Sequence, residues 1–274
     1  MLIIGERINS SRQLISQAIE RRDMEFIREE AIKQIEAGAD YIDVNAGTFM
    51  EKETECLQWL VKVVQEAADK PLCIDTVNPR AAAAALKLHQ GKAILNSISG
   101  EKERYNNMLL LVKEYGCSII ASCLDSSGVP ETAEGRIKVA TRLIDSLTTA
   151  GVAMDDIFID PLILPISVDN NSAVKVLETM EYIKKNYPEV RTICGVSNIS
   201  FGLPLRKKLN QTFVVLAMQR GLDAAIIDPN DSRLMANIIS TNTLLGKDEY
   251  CTDYIKAYRG GKLASGGIEI GGGR

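Results

Sequence analysis

Four short apolar runs end in side chains that could recognise a ligand. Asp75 closes Leu72-Cys73-Ile74-Asp75, Asn96 lies at the end of Ala93-Ile94-Leu95-Asn96-Ser97, and Asp160 closes Ile157-Phe158-Ile159-Asp160. The fourth run, Thr192-Ile193-Cys194-Gly195-Val196, leads directly into Ser197 and Asn198. Runs of this length, bounded by turn residues, read as buried parallel strands, and the carboxyl end of such a strand is where it delivers side chains to a site. A carboxylate accepts from two adjacent N–H groups, while an amide both donates and accepts. Together these ends suit a neutral heterocycle rich in N–H. An aminopyrimidinone ring, with its exocyclic amine beside a ring N–H, would face a carboxylate such as Asp160, although the same mouth would also suit a sugar or a magnesium ion.

The remaining runs end in Glu6 with Asn9, Asp43 with Asn45, Ser122 with Asp125, and Asp228 with Asn230. No lysine stands at a strand end, so a Schiff-base mechanism has no obvious nucleophile. The single histidine, His89, falls late in a helix, which excludes a histidine-based metal site and points to a surface or helix-end role. Taken alone, Asp43, Asp75 or Asp228 reads equally well as a cap for the next helix. The case rests on the coincidence of position across strands. Arg206, Lys207 and Lys208 read as a solvated helix start, with Arg206 close enough in sequence to Asn198 to reach the mouth.

The elements that carry these residues alternate regularly. Leu2 to Glu6 is the first expected strand, and a connection containing Asn9 and Arg12 leads to a helix around Asp23 to Ala37. Tyr41 to Asn45 is the second strand, followed by a helix marked by Leu57, Leu60, Val61 and Val64, and then by the strand that ends at Asp75. Asn78 caps an alanine-rich helix with Pro79 at its first position, where the missing N–H costs nothing. The strand at Ala93 to Ser97 precedes a helix with Met108, Leu111, Val112 and Tyr115, and Cys117 to Ser122 precedes one from about Thr132 to Ala150. The strand ending at Asp160 precedes a helix from Ser172 to Asn186, and Thr192 to Val196 precedes one from about Leu205 to Arg220. Ala224 to Asp228 precedes the last expected helix, near Ser232 to Leu245.

Eight strand-helix units in about 250 residues predict a single α/β domain, a (β/α)8 TIM barrel over residues 1–260. An open doubly wound sheet would show fewer strands and a Gly-rich phosphate turn after the first, and Gly5-Glu6-Arg7-Ile8-Asn9 is not one. Tight helix-to-strand turns such as Gly38-Ala39-Asp40 contrast with long strand-to-helix connections such as 161–171, which is how barrels place active-site loops. Residues 261–274 read as a Gly-rich disordered tail, seven of the 20 glycines lying from Gly260 onward.

The 274 residues are 46% hydrophobic with a net charge of −4, which supports a substantial core and argues against non-specific nucleic-acid binding. No apolar run approaches the roughly 18 residues of a membrane span, and the start has no signal-peptide character, so a cytoplasmic protein is expected. Six scattered cysteines without a Cys-x-x-Cys pair read as reduced thiols rather than disulfides or a zinc site.

Four motifs then carry a resemblance: Ile4-Gly5-Glu6-Arg7-Ile8-Asn9, Asp40-Tyr41-Ile42-Asp43-Val44-Asn45-Ala46-Gly47, Leu95-Asn96-Ser97-Ile98-Ser99-Gly100-Glu101 and Gly195-Val196-Ser197-Asn198-Ile199-Ser200. In this order, and along nearly all of residues 1–260, the chain resembles the pterin-binding methyltransferases that work with corrinoids. These include the methyltetrahydrofolate:corrinoid/iron-sulfur protein methyltransferase and the folate domain of cobalamin-dependent methionine synthase. The resemblance implies a TIM barrel in which Asp75, Asn96 and Asp160 hold the pterin, Gly195 and Ser197 form the binding wall, and Asn198 sits near N5 of the folate. Arg206 would help with the substrate tail or the protonation network, and Glu6, Asn9 and Asp43 would complete the pterin site.

The implied reaction moves a methyl group directly between N5 of tetrahydrofolate, or 5-methyltetrahydrofolate in reverse, and the cobalt of a cobalamin-type corrinoid. It requires no enzyme nucleophile. The corrinoid-binding pattern Asp-x-His-x-x-Gly is absent, so the corrinoid would arrive on a partner protein docked over the barrel mouth. The family also implies a homodimer and no bound metal. Dihydropteroate synthase is the alternative on the same fold, but it relies on a basic residue after strand seven and Arg-x-His after strand eight, where this chain has Ser197-Asn198-Ile199-Ser200 and Asp228-Pro229-Asn230. A non-catalytic pterin-binding subunit of a corrinoid complex is a further alternative, against which the intact Asn198 weighs.

Overall fold

The computed structural model describes residues 1–263 and contains a closed, eight-stranded, all-parallel barrel. In chain order the elements are β1 (Leu2–Asn9), α1 (Gln13–Arg21), α2 (Met24–Glu36), β2 (Tyr41–Asn45), α3 (Glu53–Ala67), β3 (Leu72–Asp75), α4 (Pro79–Leu86), β4 (Ile94–Ser99) and α5 (Lys102–Tyr115). They continue with β5 (Ser118–Ser122), α6 (Ala133–Thr149), β6 (Ile157–Asp160), α7 (Ser172–Asn186), β7 (Arg191–Gly195), α8 (Arg206–Gln219), β8 (Ala224–Ile227), α9 (Ser232–Leu244) and α10 (Thr252–Arg259). Each strand pairs with the next and β8 pairs with β1, so the expected barrel is present and an open sheet is excluded.

Local chemistry sets the helix starts. Asp23 accepts from the Phe26 N–H, Asn78 from Arg80 and Ala81, Thr132 from Gly135, and Asp231 from Leu234, each satisfying a donor the first helical turn leaves free. Outside the strands the core is the apolar faces of the helices, with Leu57, Leu60, Val61 and Val64 of α3 buried as their spacing required. Inside the barrel, Ile4, Cys73, Ile94, Ile120, Phe158, Ile193 and Ala224 form one inward-facing apolar tier. Parallel barrels are filled by such tiers and hold no pore.

Three expectations need correction. The segment after β1 is not merely a connection, because Ile15, Ala18 and Ile19 bury one side of the helix α1. β1 itself runs three residues past Glu6, with an irregularity in its pairing to β2 between Gly5 and Ile8. The helix ending near Leu244 is not the last, since α10 follows it. Five cysteines are buried, Cys251 is exposed, and none is paired, as read from the sequence. Most of the expected Gly-rich tail, from residue 264, lies outside the described residues. Among the described residues, no helix is long and apolar enough to cross a membrane.

Candidate active site

Side chains two residues apart on a strand share a face. Two positions beyond the inward apolar tier therefore lies a second inward tier: Glu6 after Ile4, Asp43 after Tyr41, Asp75 after Cys73, Asn96 after Ile94, Ser122 after Ile120, Asp160 after Phe158, and Gly195 after Ile193. One apolar layer thus floors one polar layer at the carboxyl ends of the strands. Register sharpens the grouping, for Asp75 is aligned with Asn45 on one side and Asn96 on the other, and Ser122 with Asp160.

Above this tier opens a cavity of about 610 Å³. All ten residues assigned from the sequence line it: Glu6, Asn9, Asp43, Asp75, Asn96, Asp160, Gly195, Ser197, Asn198 and Arg206. Ser122 does not; its hydroxyl donates to Ser97 Oγ at 3.1 Å. The sequence reading missed Ser11, Phe201, Asn210 and Asp231 as lining residues, and it put Lys207 in solvent although that residue also borders the cavity.

The polar groups are held but not exhausted. Asp160 Oδ1 accepts from the Leu162 N–H at 2.9 Å, and no described residue donates to Oδ2. Asp75 Oδ2 accepts from Asn45 Nδ2 at 3.0 Å. The Asn198 side chain makes no hydrogen bond among the described residues and is exposed, whereas the Asn96 amide bonds the Asp43 carboxyl and partly offsets its burial. Asn198 sits on the 3-10 turn Val196–Ser200, which Arg206 braces by donating to Ser197 O at 2.7 Å and to Ser200 Oγ at 3.2 Å. Gly195 makes room for this amide. A Cβ at Gly195 would lie 3.1 Å from Asn198 Nδ2, tighter than an ordinary contact.

Burial governs the electrostatics. It pushes the Asp160 carboxyl up to about 6, against the Leu162 N–H and the charge of Arg136. Arg136 is fully buried beneath the β6 side of the mouth, donates Nε to Pro130 O at 3.2 Å, and leaves both terminal nitrogens without a partner among the described residues. Burial likewise pushes Asp75 up to about 6, moderated by the Asn45 amide and Arg104. Asp43 is raised well above the usual carboxylate range by burial and then by the neighbouring Asp75, and its Oδ1 has no partner among the described residues. Glu6 is raised by burial too, held back by the bond from Ser197 and the charge of Arg12. Asp228 is tied to Arg7 Nη1 at 2.9 Å and so belongs to the wall. His89 sits at the opposite end of the barrel, where its Nε2 accepts from the Leu72 N–H at 3.0 Å. Among the described residues no three His, Cys, Asp or Glu side chains come together as a metal site.

A floor of carboxylates and amides, with no basic residue after β7 beyond Arg206 and its neighbours, is a pocket for a ring with N–H edges. Residues 5–228 match the family described as pterin binding enzyme. The chain belongs to that family. It is 39% identical over 265 residues to a methylcorrinoid:tetrahydrofolate methyltransferase from Eubacterium limosum, covering 96% of this chain and 98% of that one. It is 28% identical over 240 residues to the methionine synthase of Mycobacterium tuberculosis, an alignment spanning 83% of this chain and 20% of that protein. Among solved structures, dihydropteroate synthase from Xanthomonas albilineans in complex with 7,8-dihydropteroate superposes with a TM-score of 0.68 over 90% of this chain and 94% of that one. At 16% identity that likeness speaks for the shared barrel alone.

Proposed function

We infer that this chain is a methyltransferase that moves a methyl group between N5 of tetrahydrofolate and the cobalt of a corrinoid carried by a partner protein. The near full-length likeness to a methylcorrinoid:tetrahydrofolate methyltransferase carries this reading, and the pocket chemistry agrees with it. The free oxygen of Asp160 suits the ring's exocyclic amine and adjacent N–H, with Asp75 and Asn96 on the neighbouring strands to fix its orientation. Asp43, its carboxyl raised by burial, stands beside them at the bottom of the cavity. Glu6, Asn9, Gly195 and Ser197 close the sides, and Arg206 faces the part of the substrate that leaves the mouth.

The corrinoid supplies cobalt as methyl carrier. In the direction toward folate, the N5 lone pair forms the new bond to the methyl carbon, the carbon–cobalt electron pair stays with cobalt, and N5 gives up its proton to solvent water. No residue of the chain becomes covalently attached. What the chain must do is orient N5 and stabilise the positive character it gains. Asn198, whose side chain makes no hydrogen bond among the described residues, is the group we assign to that task, because a hydrogen bond that strengthens as charge develops lowers the barrier. Both directions pass through the same arrangement, so one residue serves each.

The partner must bring cobalt to the mouth. Exposed apolar side chains stand on the connections around it, among them Met50, Val77, Val168, Phe201 and Leu205, which suits docking of a protein face there. Unpaired cysteines accord with a cytoplasmic setting. A homodimer is proposed from the family resemblance and is checked by light scattering.

The deciding experiment mixes the protein anaerobically with tetrahydrofolate and methylcob(III)alamin and follows the cobalamin spectrum. Protein-dependent loss of methylcobalamin with formation of methyltetrahydrofolate, slowed roughly 100- to 1,000-fold by Asn198→Ala, is expected. Tight pterin binding without transfer in either direction, even with corrinoid proteins, would turn the reading into a non-catalytic pterin subunit.

A further inference from the structure

Beside the pterin cavity, and joined to it through Arg206, Lys207 and Asp231, lies a second cavity of about 550 Å³. Its walls are the first turn of α8 and the start of α9 with the residues just before it, and it is lined by Arg206, Lys207, Lys208 and Arg233. We propose that this groove binds the carboxylates of a γ-linked oligoglutamate tail on the folate substrate, an assignment that rests on the tetrahydrofolate reading of the neighbouring pocket.

The positive charges there outnumber the negative. Lys207, Lys208 and Arg233 are exposed, and their side chains make no ion pair or hydrogen bond among the described residues. Arg206 forms no ion pair either, since its bonds go to Ser197 O and Ser200 Oγ. The acidic residue in the lining, Asp231, is buried and already engaged: it accepts from Gln211 Nε2 at 2.9 and 3.0 Å and from the Leu234 N–H at 3.2 Å. Four cations therefore converge on one groove in a chain whose net charge is −4. They also stand in the first turns of two helices, of 14 and 13 residues, where the helix dipole disfavours positive charge. An anion in the groove relieves both conflicts at once.

The geometry says which anion. A folate whose ring occupies the polar tier must pass its tail out of the mouth, and the groove continues from that mouth along residues that line both cavities. A single terminal glutamate brings two carboxylates, fewer than the three positive charges by which the four cations exceed Asp231. Each further γ-linked glutamate adds one, so a tail of two or three matches the groove in sign and number.

The test is anaerobic equilibrium titration with tetrahydrofolate bearing one, three or five γ-linked glutamates, alongside 6-methylpterin, which has no tail. Affinity is expected to rise about fivefold from one glutamate to three at low ionic strength, as exposed charge pairs of this kind allow, and the gain should shrink in about 0.5 M salt. Lys208→Glu combined with Arg233→Glu should bring the ratio of triglutamate to monoglutamate affinity to about one, and the milder Lys208→Gln with Arg233→Gln serves if the reversal does not fold. Equal affinity for all tail lengths overturns the inference. So does a length dependence that both variant pairs leave intact, or a loss confined to transfer from the corrinoid partner, which would make the groove a protein contact. Failure of 6-methylpterin and every folate to bind counts instead against the reading of the pterin pocket, and binding without length dependence counts only against the groove.

Discussion

The hydroxyl of Ser197 donates to Glu6 Oε1 at 3.0 Å, joining residues 191 positions apart and tying the turn after β7 to β1 across β8. Arg12 donates to the same oxygen at 2.9 Å. The turn that carries Asn198 is thereby anchored on the far side of the mouth as well as by Arg206. Removing the hydroxyl with Ser197→Ala should cost about 1 kcal/mol in urea unfolding. It should also raise the Glu6 carboxyl further, because the bond that partly offsets its burial is lost. A carbon-labelled NMR titration of Glu6 reads the second effect directly.

Gly195 and Asn198 make a sharper case. Gly195→Ala places a methyl group against Asn198 Nδ2, so the amide must move by a few tenths of an ångström. The carboxylates that we assign to the ring are untouched by this change. Steady-state kinetics should show kcat lowered by roughly ten- to a hundredfold with the Kd for tetrahydrofolate nearly constant. An equal loss in both would mean that the amide serves binding, not the reaction.

Asp75 and Asp160 predict opposite pH trends for the free and the loaded protein. Both carboxyls are raised to about 6, above the ordinary aspartate value of about 3.9. Between those values the folded state holds protons that the unfolded chain has released, so the stability of the free protein falls as pH rises through that window. Both residues are only partly buried and face the open mouth, so solvent screening holds the loss to on the order of 1 kcal/mol for each by pH 7. Pterin binding asks for the ionised form, so affinity should improve as pH rises and level off above about 6. Denaturant midpoints and titrations from pH 4.5 to 8, roughly spanning both values, will show the crossing trends. Asp75→Asn should flatten its share of both and leave the free protein more stable than wild type at pH 7.

His89 separates structure from chemistry. His89→Ala orphans the buried Leu72 N–H and should destabilise the fold by about 1 to 2 kcal/mol. Methyl transfer per folded molecule should be unchanged. Thermal melts and specific activity on the same preparations check both halves.

Much of this was legible because the strands alternate in a simple way. In six strands the inward apolar or aromatic residue is followed two positions later by a polar one, as in Cys73 and Asp75 or Phe158 and Asp160, so reading strand ends came close to reading the polar tier. What escaped had physical reasons. The helix α1 has no side-chain cap at Arg12 and ends at Arg22, which adopts a left-handed conformation usually left to glycine, so no stop signal stood in the sequence. α10 is only eight residues long, polar on average and buries only Ala257, so it offered little core-facing sequence to recognise. Arg136 sits on the buried face of α6 with Val139, Ala140 and Leu143, a place that its residue type does not announce. Asp231 caps α9 and also borders the cavity, a double role that its place before Ser232 does not reveal.

The two-tier arrangement of the strands has a consequence for how such barrels diversify. The groups assigned to the ring stand mostly on the strands themselves, whereas the apolar side chains around the mouth stand on the connections after them. Insertions or exchanges in those connections leave the strand register untouched. A lineage can therefore inherit one way of reading a heterocycle while trading the protein that visits it.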